Sequence, residues 1–209
     1  MSAPAPLRPA LSLAKKRGYH HGDLPRALVA AAVELVDKKG VESFTLREAA
    51  ALVGVTHGAA YRHFADKTAL LAAVAEEGFR MLLPHVESAA EKSNDPASRI
   101  SAIASAYVAF AVDRPAHYEV MTGPRLNEDG RFPTLEAAID EVFGAVVREI
   151  ERGQAAGVFR AGAPRDLAVG VWVAAHGYAD LVHARRIKVR SATRYFERLL
   201  PLVIDGLVR

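Results

Sequence analysis

A short run of hydrogen-bonding side chains around residue 60 is the first indication of chemistry in this chain. In the stretch THGAAYRHFADK, residues His57, Gly58, Tyr61 and Arg62 are three or four positions apart and share one face of a helix. Imidazole, phenol and guanidinium groups donate hydrogen bonds to phosphates and base edges. Gly58 leaves the backbone of that face open to close approach. The spacing therefore predicts a helix face that contacts duplex DNA.

Three further residues extend this face toward the sugar-phosphate backbone. Thr45 and Thr56 stand where helices begin, and N–H groups at helix N-termini bind phosphate oxygens. Lys67 begins the next helical segment and can neutralise a flanking phosphate. The alternative is structural, with Tyr61 half in the core and Lys67 a solvated charge.

A second group of polar side chains lies near residue 180. His176, Asp180 and His183 are spaced i, i+4 and i+7, so one helix face carries two imidazoles and a carboxylate, which are zinc ligands. No fourth ligand is visible, and a packed His176 with surface Asp180 and His183 is the favoured interpretation. We expect no metal and no cofactor, with a helical metal-binding protein or metalloenzyme as the alternative.

Catalysis has no positive support in the sequence. Phosphate-binding glycine loops, dinucleotide-binding turns and nucleophile elbows do not occur in the 209 residues. With no cysteine, the chain forms no disulfides, thiolate metal sites or cysteine nucleophiles. No window approaches the roughly 18 apolar residues of a membrane span. We therefore expect a cytoplasmic protein that is not an enzyme and has no membrane partner.

Positive charge is concentrated in the first third of the chain. Residues 1–67 contain 10 Lys and Arg against 6 Asp and Glu, while the rest contains 17 against 18. The segment 1–22, which includes Lys15, Lys16 and Arg17, is predicted to be a flexible basic arm. The asymmetry favours a polyanionic partner for the N-terminal part, and a solvated basic tail explains it nearly as well.

Three helical patterns are available to position the polar face. Apolar residues recur every three or four positions between Asp23 and Gly40, which predicts a first helix. A capping box of Thr45 and Glu48 begins a second helix, and a third follows after a glycine turn. Two short helices joined in this way predict a helix-turn-helix, whose second helix fits a DNA major groove about 12 Å wide.

The remaining sequence also has helical periodicity. Helices are predicted from Asp66 to about Glu91, and then over 96–113, 115–122, 133–153, 164–185 and 191–207. No strand-type alternation persists. We therefore predict an all-α fold of about nine helices, with a three-helix DNA-binding domain over 23–67 and a larger helical domain over 68–209.

The larger domain contains aromatic and polar residues that suit a pocket between bundle helices. The candidates are Tyr107, Phe110, Tyr118, Met121, Phe143, Trp172 and His176. Taken singly, each is better explained as a core residue. We expect two or three of them to contact a ligand.

The last two helical segments have broad apolar faces that require burial. These faces include Leu167, Val171, Leu181, Leu199, Leu202 and Val203. They can be buried within the chain or in a two-fold contact between subunits. A protein-interaction module built from these helices is a further alternative.

The segment GVESFTLREAAALVGVTHGAAYRHFADKTALLAAV resembles the DNA-binding segment of TetR-family transcriptional regulators. The resemblance covers about 23–75, and its elements are Gly40, Thr45, Ala49, Ala50, Gly54, Val55, Tyr61, His63, Phe64, Lys67 and Leu70. The later stretch from Trp172 through His176 to Gly177 is similar to a subgroup of that family with a Trp-His-Gly signature.

The resemblance implies a homodimeric repressor whose N-terminal domains bind a palindromic DNA operator. It also implies that the C-terminal domain forms the dimer interface and binds a small-molecule effector that releases the DNA. The positions it assigns to the DNA backbone are Thr45, Thr56, Tyr61, His63 and Lys67. The positions it assigns to the bases are His57, Gly58 and Arg62.

Overall fold

The computed structural model describes residues 23–123, 126 and 130–208, so the predicted basic arm over 1–22 lies outside the described residues. Nine α-helices occur within these ranges: α1 (Leu24–Lys39), α2 (Leu46–Val53), α3 (His57–Tyr61), α4 (Lys67–Ala90), α5 (Pro96–Asp113), α6 (Pro115–Thr122), α7 (Pro133–Ala155), α8 (Pro164–His183) and α9 (Ala192–Ile204). A 3-10 helix spans Val41–Ser43. The predicted all-α architecture is confirmed.

The first three helices form a small head, and local capping determines where two of them begin. The Thr45 hydroxyl accepts from the backbone N–H of Glu48, and the Glu48 carboxylate accepts from the backbone N–H of Thr45, as the predicted capping box requires. Gly54 ends α2 in the left-handed conformation, with φ of 81°, which glycine adopts without steric cost. Thr56 then caps α3 by accepting from the N–H of Ala59.

The long helix α4 joins the head to the body of the protein. The Asp66 carboxylate caps it by accepting from the N–H of Ala69, and the helix continues through Pro84. Near its start, Leu70 is buried in the head core, and further along Leu82 is buried in the body core. A single helix therefore connects the two cores mechanically.

The body packs α4, α5, α7, α8 and α9 around the second core. Helices α5 and α8 lie side by side and run in the same direction, because Tyr107 meets His176 and, one turn later, Ala111 clusters with Ala179. Both helices end on the side of the body that carries the head. The opposite side is called the distal end below.

Helix α6 lies between the head and the body. Ala116 and Val120 pack into the head core, while Tyr118 packs on Ala111 of α5 and Ala179 of α8. Four of the eight residues of α6 are buried, and they are divided between the head core and the contact with α5 and α8.

The predicted ends of the last helices need correction. The helix predicted over 164–185 ends at His183, and the one predicted over 191–207 ends at Ile204. Helix α8 stops because Arg185 adopts a left-handed conformation, with φ of 55°. After α9 the chain turns so that Val208 pairs with Phe159 in an isolated antiparallel bridge.

Candidate DNA-binding surface and effector cavity

Helix α3 presents the predicted polar face to solvent. Ala60 is fully buried and seats the helix on the head core, whereas His57, Gly58 and Arg62 are exposed. The Tyr61 side chain is also exposed, and its ring meets the His57 ring edge-on at 6.4 Å. The helix can therefore enter a groove without disturbing the core.

The flanking residues are arranged around this face. Thr45, Thr56 and His63 are exposed, so a phosphate can approach the first turns of α2 and α3. Lys67 is only partly exposed: its ammonium donates to the Glu42 carbonyl at 3.1 Å and lies 4.7 Å from the centre of the Phe44 ring. Lys67 thus also ties the start of α4 to the head, a contact that local sequence patterns do not reveal.

A cavity of about 380 Å³ lies in the body between α4, α5, α6, α7 and α8. Five of the predicted ligand residues line it: Tyr107, Met121, Phe143, Trp172 and His176. Most of the other lining residues are apolar, including Phe79, Ile103, Ile139, Val142, Val146 and Val171. This composition suits a mainly apolar ligand.

Two of the predicted ligand residues lie elsewhere. Phe110 is buried in the body core, where its ring meets His85 at 6.2 Å. Tyr118 is buried beneath the cavity, and its hydroxyl donates to Asp180 Oδ1 at 2.6 Å. Neither side chain lines the cavity, because both point to the packed side of their helices.

A hydrogen-bonded group forms the polar part of the cavity wall. The Tyr107 hydroxyl lies 2.9 Å from His176 Nδ1, and burial raises the pKa of Tyr107 to about 12. Tyr107 therefore remains protonated at neutral pH and forms a hydrogen bond with the His176 ring. On the other side of the ring, His176 Nε2 lies 3.5 Å from Asp180 Oδ2. Burial also raises the pKa of Tyr118 above its ordinary value, so its hydroxyl keeps its proton as well.

Of the three residues considered as metal ligands, His176 and Asp180 take part in this same group. His183 is not directed at an ion site with His176 and Asp180; its ring centre lies 5.8 Å from that of Tyr118. Across the described ranges, no three His, Cys, Asp or Glu side chains are grouped so as to hold a metal ion.

The opening of the cavity lies between α7 and α8. The Arg165 guanidinium lies 4.8 Å from the centre of the Phe143 ring, and the exposed Asp140 is on the same rim. Trp172 meets Phe143 edge-on at 6.3 Å and is 44% exposed. Charged groups thus stand at the opening, while the interior is apolar apart from the tyrosine and histidine group.

Helix α6 touches the cavity, α4 and the head together. Met121 lines the cavity, and a Cβ placed on Gly78 of α4 would come within 2.5 Å of the Met121 sulfur, so the two helices approach closely. Two residues earlier, Glu119 Oε1 accepts from the backbone N–H of Val41 in the head at 2.8 Å. A displacement of α6 would therefore change both its contact with Gly78 of α4 and its hydrogen bond to Val41 of the head.

The predicted dimer residues divide into two sets. Leu181 and Leu202 are 47% and 76% exposed, and Leu199 and Val203 are partly exposed. Leu167 and Val171 are 6% and 3% exposed within their own subunit, so the prediction that they face a partner is wrong. They lie on the side of α8 that packs toward the body core, and the exposed stripe includes Val173 instead, at 60%.

None of the helices in the described ranges combines the length and the apolar character needed to cross a membrane.

Comparison with known proteins gives matches for both parts of the chain. Residues 28–74 match the family model for bacterial regulatory proteins of the tetR family, and residues 100–203 match that for the tetracyclin repressor-like C-terminal domain. A protein of unknown function from Rhodococcus sp. RHA1 is 31% identical, with a TM-score of 0.80, over 93% of this chain and 100% of that one.

Two further relatives are more distant or match only in part. A tetR-family regulatory protein from Rhodococcus RHA1 has a TM-score of 0.73 at 23% identity, over 88% of this chain and 96% of that one. The nucleoid occlusion factor SlmA of Actinobacillus pleuropneumoniae is 32% identical over 92 residues, which are 44% of this chain and 46% of that protein. The chain thus spans about half the length of the curated relatives it matches.

Proposed function

Because this chain belongs to the TetR family of transcriptional regulators, we propose that it is a ligand-responsive repressor. It binds a palindromic DNA operator as a homodimer. A small, mainly apolar effector fills the body cavity and releases the DNA.

The observation that carries this proposal is the exposed face of α3. Arg62, His57 and Tyr61 stand on one solvent-facing side of a helix that the buried Ala60 holds against the head. A second helix of a helix-turn-helix with such a face can donate to base edges and phosphates in the major groove.

The apolar stripe on α8 and α9 supports a dimer. Val173, Leu181 and Leu202 are exposed leucine and valine side chains on the two helices. Packing the same stripe of two copies together buries them in a two-fold contact. Two heads related by a two-fold axis then match a palindromic site.

The position of α6 supports release by an effector. An occupant of the cavity contacts Met121, and Met121 packs against Gly78 of the helix that carries the head. An effector that binds better when α6 is displaced favours a head orientation unable to match successive major grooves. The effector shifts this equilibrium only by its difference in affinity for the two conformations.

Selection from a random double-stranded DNA library with purified protein tests the proposal. The selection is made at controlled salt, since phosphate contacts make affinity depend on salt. Enrichment of a palindrome by the parent protein, and its loss in Arg62→Ala, is the expected result. Salt-sensitive binding without an enriched sequence would contradict an operator-specific repressor. Arg160→Ala is the control, because Arg160 is an exposed cation at the distal end of the body.

A further inference from the structure

The connection between α8 and α9 is the basic part of the body. Arg185, Arg186, Lys188 and Arg190 follow one another within six residues, and residues 182–196 contain no Asp or Glu. All four side chains are exposed. Among the residues that the structure describes, none of the four takes part in an ion pair. Their side chains are therefore exposed to solvent and are not paired with an acidic group in the described ranges.

This connection, residues 184–190, lies on the side of the body that carries the head. The last residue of α8, His183, has its ring centre 5.8 Å from that of Tyr118 on α6. The next residue of α6, Glu119, hydrogen bonds to Val41 of the head. The basic connection thus begins beside α6, which lies between the body and the head.

The ends of the connection are held in place. The Tyr178 hydroxyl donates to the Ala192 carbonyl at 2.8 Å, which fixes the start of α9 against α8. The backbone N–H of Arg186 donates to the Leu181 carbonyl at 2.8 Å and closes the end of α8. The four cations are consequently presented on a short, anchored turn that extends past Tyr178 toward the head side.

Arg185 occupies a backbone position where glycine is the usual residue. Its φ of 55° makes it the only residue other than glycine with positive φ in the described part of the chain. Helices commonly end in this left-handed conformation at a glycine, because a side chain there is strained. The arginine therefore adds strain at the end of α8, and its exposed guanidinium is available for a contact outside the fold.

We propose that residues 184–190 form a second DNA-binding surface, which attracts the phosphate backbone without recognising sequence. The inference rests on the proposed DNA-binding function and adds to it a contact from the body. Duplex DNA carries about one negative charge per 1.7 Å of its axis, and cations near it release bound counterions. Such a field acts over a Debye length of about 8 Å at physiological salt, so the position of the turn on the head side is essential.

Two double variants with the same charge change test this surface. Arg186→Ala with Lys188→Ala removes two cations from the turn, and Lys92→Ala with Arg160→Ala removes two exposed cations from the distal end. Dissociation constants are measured over a salt series, for the operator obtained by selection and for a pool of random duplexes. The oligomeric state of each variant is measured by light scattering.

The turn variant is expected to bind both DNAs about tenfold more weakly at low salt, and the slope of log affinity against log salt should fall by about 1 to 2. The enriched sequence and the oligomeric state should not change. The distal variant should match the parent. Equal effects of the two variants, or loss of the dimer in the turn variant alone, would overturn the proposal.

Arg185→Gly separates the role of the side chain from that of the backbone. The substitution removes the strain at positive φ, so the melting temperature should stay the same or rise, while the affinity for DNA falls by about threefold to tenfold. Unchanged affinity would show that Arg185 has no part in DNA binding and would overturn the explanation for its conformation.

The remaining outcomes separate this inference from the proposed function. A parent protein that binds no DNA would overturn both. A parent that binds its operator with the same salt slope as the turn variant would overturn the second surface alone. If the turn variant lost binding only to phosphatidylglycerol vesicles and kept its affinity for DNA, the surface would be one for anionic lipid instead.

Discussion

The carboxylate of Glu119 accepts a hydrogen bond at 2.8 Å from the backbone N–H of Val41, which is 78 positions away in the sequence. Glu119 lies on α6, two residues before the cavity residue Met121, and Val41 begins the 3-10 helix of the head. The bond is partly buried, so solvent cannot fully replace the acceptor. It is therefore a direct link between the cavity wall and the DNA-binding head.

Replacing Glu119 should weaken this link. Glu119→Ala leaves the Val41 N–H without its acceptor, and we expect the free energy of unfolding to fall by about 1 to 3 kcal/mol. Glu119→Gln keeps a side-chain oxygen at the same position and should lose less. Urea denaturation measures the difference, and equal losses in both variants would show that charge, not the hydrogen bond, matters at this position.

The exposed face of α3 gives a prediction that separates affinity from specificity. Tyr61→Phe should weaken binding to every duplex by about 1 kcal/mol, roughly fivefold, because it removes the proposed hydrogen bond to a phosphate. Arg62→Ala should relax the sequence preference, since a guanidinium contact to a base discriminates by about 1 to 3 kcal/mol. Both side chains are exposed, so thermal stability should not change. Unaltered preference in Arg62→Ala would exclude base contacts by this residue.

Trp172 is the only tryptophan in the chain and can report on the cavity. Trp172 lines the cavity and is 44% exposed, so an apolar ligand in the cavity should shift the tryptophan emission to shorter wavelength. When the ligand is a fluorophore such as N-phenylnaphthylamine, excited Trp172 should transfer energy to it. Ala175→Phe, which fills the cavity from a buried position, should abolish the transfer. Val112→Phe at an exposed site of α5 is the control, and loss of transfer in that variant would place the probe elsewhere.

The ion pair between Arg99 and Glu149 should make the free energy of unfolding depend on pH in the acidic range. Arg99 Nε donates to Glu149 Oε2 at 2.6 Å, and this bond lowers the pKa of Glu149 below its ordinary value of 4.5. A carboxyl group with a lower pKa in the folded chain adds stability above its unfolded pKa and loses it as pH falls through the folded pKa. We therefore expect the free energy of unfolding to decline below pH 4.5, and Glu149→Gln should reduce this dependence.

The same pair predicts that removing a buried ion pair costs more stability than removing an exposed one. Glu149→Gln should cost about 3 kcal/mol at neutral pH, because it leaves the largely buried Arg99 without its counterion. Arg148 forms a half-exposed ion pair with Glu87 at 3.6 Å, and Arg148→Ala should cost less than about 1 kcal/mol. Chemical denaturation of the two variants measures this, and similar losses would contradict a specific role for the buried pair.

The exposed apolar stripe predicts a substitution that breaks the proposed dimer. Leu202→Asp should weaken association by at least about 2 kcal/mol, roughly thirtyfold, because an unpaired carboxylate is buried when the two copies meet. Leu52→Asp changes an exposed leucine in the head, outside the stripe, and should leave association unchanged. Sedimentation of both variants over a concentration series measures this. A parent protein that is monomeric at all concentrations would contradict the dimer itself.

Much of the head could be predicted from the sequence, because its determining contacts are local. The capping box of Thr45 and Glu48 and the cap of Asp66 on Ala69 each join residues three positions apart. The apolar repeat of α1 identifies its buried side in the same way, since helical periodicity relates neighbours on one face. The polar face of α3 follows from this spacing once Ala60 is assigned to the core.

The body was predicted less completely, because its apolar helices carry more than one apolar side. In α8, Val171 and Leu181 are equally apolar, yet the first lines the cavity and the second is exposed. Hydrophobicity alone does not show which side of the helix packs on the core and which side is available to a second subunit. The same ambiguity predicts a ligand contact for Phe110 and Tyr118, whereas packing places Phe110 in the body core and Tyr118 behind the cavity-lining Tyr107 and His176.

The sequence by itself thus determined the all-α class, the helix starts set by local caps, and the polar face of the third helix, since all of these depend on neighbours a few residues apart. Tertiary structure alone decided the cavity, the bond between Glu119 and Val41, and the place of the basic turn beside the head. Each of these joins side chains far apart in the chain, and only the packing of whole helices brings them together.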